Sequence, residues 1–135
     1  MSINNVSEDR LVYSLLKKGL DASTQRSKVI SNNIANVNTS NFKRSYVTFE
    51  DSLQNSIDNL AMEKTDTKHM DDGTSYGQIQ VKQDTTSSMN SDGNNVNIDA
   101  EMANEAQNTL MYDALESQVN SRLSMERYVI TGGGK

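Results

Sequence analysis

Few residues of this chain carry reactive side chains. His69 is the one histidine, and there is no cysteine. Neither a thiolate set nor a histidine-rich metal set can therefore be completed. His69 lies in Thr67-Lys68-His69-Met70, a polar stretch, and reads as a solvated surface residue. No Ser-His-Asp or Cys-His arrangement can be built around it. Asp71-Asp72 offers two carboxylates, the groups that cleave glycans, but adjacent acids before Gly73 are the makings of a solvated turn. Asp92-Gly93-Asn94-Asn95-Val96-Asn97 has the composition of a calcium loop. On the EF-hand spacing, however, Val96 falls on a ligand position, Asn97 on the required glycine and Ala103 on the closing glutamate. The stretch reads instead as a loop leading into a helix cap. Gly132-Gly133-Gly134 follows the last helical pattern and precedes no further element, so it is not a phosphate loop. The sequence predicts no enzyme, no catalytic residue, no metal, no cofactor and no small-molecule substrate.

The spacing that does carry a signal belongs to amides. In Ser31-Asn32-Asn33-Ile34-Ala35-Asn36-Val37-Asn38-Thr39-Ser40-Asn41-Phe42-Lys43-Arg44, four asparagines (Asn32, Asn33, Asn36, Asn38) fall within seven positions. Asparagine side chains bond nearby backbone groups, which weakens a helix interior and suits a helix end. Phe42 follows as a bulky anchor. Asn33, Asn36, Asn38, Thr39 and Phe42 are expected to set the direction in which the chain leaves the helix.

The elements around that stretch can be placed from pattern. Residues 7 to 37 read as one helix: Ser7 as N-cap, Glu8 and Asp9 in the first turn, Val6 stapling onto Leu11, and Leu15, Leu16, Ile30 and Ile34 among its apolar positions. Some thirty residues make a rod of roughly 45 Å. Residues 38 to 96 form a polar middle. It holds a helical stripe (Leu53, Ile57, Leu60), a turn at Asp71-Asp72-Gly73, a short strand over 76–82, and a mobile loop over 83–95. Asn97 reads as the N-cap of a second long helix, with Asp99 and Glu101 in its first turn. This helix occupies residues 97 to 131, and 132 to 135 form a flexible tail. Met102, Ala106, Leu110 and Ala114 make one i, i+4 ladder, and Met111, Leu115, Val119 and Leu123 another. Successive residues turn by about 100°, so the two ladders lie on different sides of the helix and ask for two sets of neighbours.

Composition agrees with a thin core. Hydrophobic residues make up 34% of the 135 and aromatic residues 5%. Such chains order when a partner supplies the missing surface. The net charge is −5, and without a basic stripe nucleic-acid binding is not expected. No apolar run approaches the length of a membrane span. The N-terminus has neither a basic nor an apolar signal region, so no cleaved signal peptide is expected. The predicted fold is mainly α: two long terminal helices pairing as a coiled-coil-like hairpin, with a polar, partly disordered middle containing short β elements.

The Asn-rich stretch resembles the N-terminal signature of the flagellar rod, hook and hook-associated proteins, which usually have Pro-Gly where this chain has Ser40-Asn41. Asp92 to Asp99, Glu101-Met102-Ala103, Asn108, Leu110, Tyr112, Ala114-Leu115 and Arg127 to Ile130 are similar to the C-terminal region of proximal-rod proteins of the flagellar basal body. The resemblance implies a structural subunit, exported unfolded through the flagellar type III apparatus and assembled at the base of the rod, where its terminal helices form the tubular core. Its implied partners are other copies of itself, other rod proteins, the membrane ring and the export apparatus. Residues expected at the assembly interface are Leu15, Leu16, Ile30, Ile34, Asn33, Asn36, Asn38, Thr39, Phe42, Met102, Leu110, Leu115, Val119 and Leu123. Two alternatives belong to other classes: a cytoplasmic helical adaptor or export chaperone that binds partner helices, and a small wall-acting glycan hydrolase.

Overall fold

A computed structural model describes residues 3–54, 77–86 and 91–132, with the side chains of the first stretch described from Leu11 onward. The expected positions of Ile57 and Leu60, of His69, of the Asp71-Asp72-Gly73 turn, of the 133–135 tail and of the Val6–Leu11 staple lie outside these described residues. Four named elements follow in order: α1 (Ile3–Ala35), β1 (Ser45–Thr48), β2 (Gln80–Gln83) and α2 (Ile98–Ile130).

The two helices form an antiparallel hairpin. Asn33 of α1 meets Glu101 of α2, Ser27 meets Glu105, Ser23 meets Asn108, and Gly19 lies under Leu115. Numbers fall along one helix as they rise along the other. The mainly α fold with long terminal helices and short strands is therefore the one present. α1 begins at Ile3, so Ser7 stands inside the helix rather than at its cap. It ends at Ala35, where Asn36 folds its amide back onto the Asn32 carbonyl and side-chain oxygen, both at 2.9 Å. An amide that satisfies a helix carbonyl from outside closes the helix there. α2 starts where expected: Asn97 accepts hydrogen bonds from the amides of Asp99 and Ala100, and Asp99 and Glu101 occupy its first turn.

β1 and β2 pair antiparallel, with Val47 opposite Val81 and Tyr46 opposite Lys82. β2 begins later than the alternation over 76–82 predicts. Gly77 ahead of it has φ +65°, and a Cβ there would meet the Phe49 ring at 2.5 Å. A helical turn over residues 50–54 follows β1. Among the described residues the buried apolar ones are Ala22, Val29, Ile30, Val47, Phe49 and Val96. Among the described side chains none of these lies before Ala22 on α1 and none on α2. At the far end Leu11, Val12 and Tyr13 are exposed. No helix of the described residues is long and apolar enough to cross a membrane.

One expectation fails in the described part of the middle. Residues 83–86 and 91–95 are not a free loop: Asp84 is bonded to Arg44, and Asn94 and Asn95 are 0% and 4% exposed. Their few apolar residues hide what their amides do, which is to bind the backbone at the end of α1.

Candidate assembly interface

The turn after α1 and the segment before α2 hold each other through asparagine. Asn94 Nδ2 donates to the carbonyls of Asn36, Val37 and Thr39 at 2.9, 3.0 and 2.9 Å, while its Oδ1 accepts from the Val96 amide at 2.7 Å. The carbonyls left over by the end of α1 thus find their donor 55 to 58 residues away in sequence. Asn41 takes a left-handed φ of +61°, which asparagine tolerates better than most residues, and its amide donates to the Asp92 carbonyl at 3.0 Å. Gly93 is required opposite it. Its φ is +85°, and a Cβ there would stand 2.4 Å from Asn41 Oδ1.

Beneath this turn lies a buried charge. Glu101 is 1% exposed and Asn33 0%. Glu101 Oε2 accepts from Asn33 Nδ2 at 3.0 Å and Oε1 from Arg44 Nε at 2.9 Å. Asn33 also exchanges bonds with the Ser45 backbone, donating to its carbonyl at 2.7 Å and accepting from its amide at 2.9 Å. Arg44 reaches Asp84 at 3.5 Å and lies over the Tyr46 ring at 6.0 Å, and its amide donates to Asn95 Oδ1 at 2.7 Å. The cluster ties α1, the start of β1, the end of β2 and α2 together. Thr86's hydroxyl and amide, and then Arg44, hold the Asp84 carboxyl below the usual range. Nearby, Arg26 donates to both oxygens of Glu50 at 2.7 and 2.6 Å. Partial burial raises the Glu50 carboxyl, but the Arg26 hydrogen bond, backbone amides and the Arg26 charge outweigh it and leave it lowered.

These groups are arranged for holding rather than for reacting. A groove of about 420 Å³ runs between α1, β1 and α2, over Val29, Ile30 and Val47. The arginines on it are already engaged by Glu50, Glu101 and Asp84. Among the described residues no group of three or more His, Cys, Asp or Glu side chains converges to hold a metal.

The residues expected at the interface divide by position. Ile30 is buried, Leu15, Leu16, Ile34, Leu115 and Val119 are half-buried, and Leu115 rests on Gly19 with Cδ1 3.1 Å from where a Cβ would stand. Asn33 is buried in the ion cluster. Asn36 is bonded within its own turn and to Thr39, Asn38 is exposed, and Phe42 is half-buried with its carbonyl accepting from Asn95. Met102, Leu110 and Leu123 are exposed, at 60, 71 and 44%. They are joined by Met125, Tyr128, Val129 and Ile130 at 58 to 84%. Ser23, Arg44, Asp84, Asn94, Asn95, Glu101 and Asn108 were not among the expected site residues. The signal that could have found some of them is the seven-residue spacing of Glu101, Asn108 and Leu115, which puts all three on one line of α2.

Comparison with known proteins places this arrangement. The flagella basal body rod protein family matches residues 17–43, the second half of α1 and the turn that Asn94 binds. The flagellar basal body rod protein FlgB of Bacillus subtilis (strain 168) is 35% identical over 118 residues, covering 87% of this chain and 92% of its own. FlgB of Borrelia hermsii is 41% identical over 107 residues, covering 73% and 79%. FlgB of Borreliella burgdorferi is 40% identical over 102 residues, covering 69% and 76%. The first of these matches is long enough to reach into both terminal helices. With that extent of agreement, the chain belongs to the FlgB family of flagellar basal-body rod proteins, a family of structural subunits and not of enzymes.

Proposed function

We propose that this chain is a subunit of the proximal rod that is exported unfolded through the flagellar type III apparatus and orders fully only on assembly. Its terminal helices contribute to the tubular core and its middle faces outward. Its neighbours are copies of itself and other rod proteins, at the base of the rod next to the membrane ring. The assembly residues are those of the outward ladder and of the open end of the hairpin: Met102, Leu110, Leu123 and the last turns of α2.

The observation that carries this reading is the exposure of α2. Large apolar residues stand open along α2, from Met102 at one end to Ile130 at the other. Covering a large apolar side chain is worth ~1.5–3 kcal/mol, so several of them can offset the backbone ordering cost of ~1–2 kcal/mol per residue. An isolated chain lacks that cover at the open end, which keeps polymerisation and ordering coupled.

The test is incorporation. In cells carrying Leu110→Asp as the sole copy, the protein is expected to be made and exported but absent from purified basal bodies, with motility lost. Full incorporation of Leu110→Asp, or complete turning flagella in cells lacking the chain, would overturn the reading.

A further inference from the structure

We infer that the buried cluster of Glu101, Arg44 and Asn33 selects the register in which α1 and α2 pair. The apolar pattern alone does not select it. α2 carries large apolar residues on several sides, and Glu101, Asn108, Leu115 and Arg122 follow one another at intervals of seven along the line that faces α1. On α1, Gly19, Arg26 and Asn33 repeat at the same interval. A slide of one heptad therefore returns the same faces to each other, with α2 moved about 10 Å along α1. Such a slide also takes Leu115 off Gly19. Glu101 changes a great deal.

In the observed register the Glu101 carboxylate has the Arg44 Nε at 2.9 Å and the Asn33 amide at 3.0 Å. One heptad toward the start of α1 it exchanges both for the place of Arg26, whose guanidinium is already held by the two oxygens of Glu50, and a buried carboxylate short of partners is costly. Sliding in the other direction removes it from the turn and leaves Arg44 and Asn33 facing neutral residues. A buried polar group that makes one alignment acceptable and its neighbours unacceptable is the best-attested role for such groups in helix pairs. Asn108 plays a lesser part. Its Nδ2 donates to the Ser23 carbonyl at 2.9 Å, but its Oδ1 is buried without a donor, so its site is only half satisfied. The assignment concerns the pairing within one chain and holds whatever surface the rod contact uses.

The chain has no cysteine, so spin labels can be placed at will. Lys28→Cys and Asp113→Cys put nitroxides on two exposed positions, one on each helix, and their separation by pulsed dipolar spectroscopy reports the register of the free protein. With Glu101, Arg44 and Asn33 intact, one distance is expected. Glu101→Leu with Arg44→Met removes the ion pair but keeps apolar bulk and leaves Asn33 its bonds to Ser45. That variant is expected to keep its circular-dichroism helix signal and to show a second distance population displaced by several ångströms. Asn108→Leu should keep the single distance. An unchanged single distance in the double variant would overturn the assignment. Should that variant lose its helix signal, Glu101→Gln decides alone, since it removes only the charge: a second population upholds the assignment, and one unshifted distance overturns it.

Discussion

Asn94 shows how much one amide can hold. Its Nδ2 serves three carbonyls of the turn after α1, and its Oδ1 takes the Val96 amide. Removing it takes the side-chain partner from the Val37 carbonyl and the Val96 amide, while the Asn36 and Thr39 carbonyls keep the amides of Thr39 and Phe42, and each group left without a partner costs about 1–3 kcal/mol. Some of those carbonyls will reach water once the turn loosens. Asn94→Ala is therefore expected to destabilise the chain by about 3 kcal/mol, read as a lowered urea midpoint with the slope unchanged. A shift below about 0.5 kcal/mol would mean that water replaces the amide without loss. Asn38, exposed on the same turn, should tolerate alanine in the same assay.

At the scale of elements, α2 is a helix with two duties. Its inner line packs on α1, and Leu115 marks it, lying over Gly19, which lacks the side chain that would hold the helices apart. Its outer side carries Met102 and Leu110 into solvent. The two ladders read from the sequence are thus separate surfaces with separate consequences. Leu115→Asp buries a carboxylate in the seam and should cost about 2–4 kcal/mol of hairpin stability. Leu110→Asp should leave stability within about 0.5 kcal/mol, because the position is already open. Denaturant unfolding of the two variants checks this pair. Equal costs would mean that the outward ladder is packed in the free chain.

Among the described residues, the hairpin is buried at one end and exposed at the other. Ala22, Ser23, Val29, Ile30, Asn33, Val47, Phe49, Asn94, Val96, Glu101 and Asn108 are buried together near the sheet, whereas Leu11, Val12, Tyr13 and the last turns of α2 are exposed. Helices without cover fray, and opening free energies follow local burial. In dilute free protein, amide exchange over residues 22–33 and 101–108 should be at least about tenfold slower than over 11–16 and 119–130. Uniform protection along both helices would contradict ordering on assembly, since nothing would then be left for neighbours to order.

The two helices, the Asn97 cap, the apolar residues on more than one side of α2 and the poverty of reactive groups were all legible in the amino-acid order. Each depends on residues no more than a few positions apart, where spacing alone decides which side chains share a face or reach a neighbouring amide. The start of α1 at Ile3, beyond the Ser7 signal, shows how loosely such signals fix an end. Only the tertiary structure decided that Asn94 caps a turn more than fifty residues before it, that 83–95 is bound rather than free in its described part, and that Glu101 is the most deeply enclosed charge among the described side chains. Polar residues in sequence look like surface, because what makes their burial tolerable is a partner from a distant segment, and no local pattern names that partner.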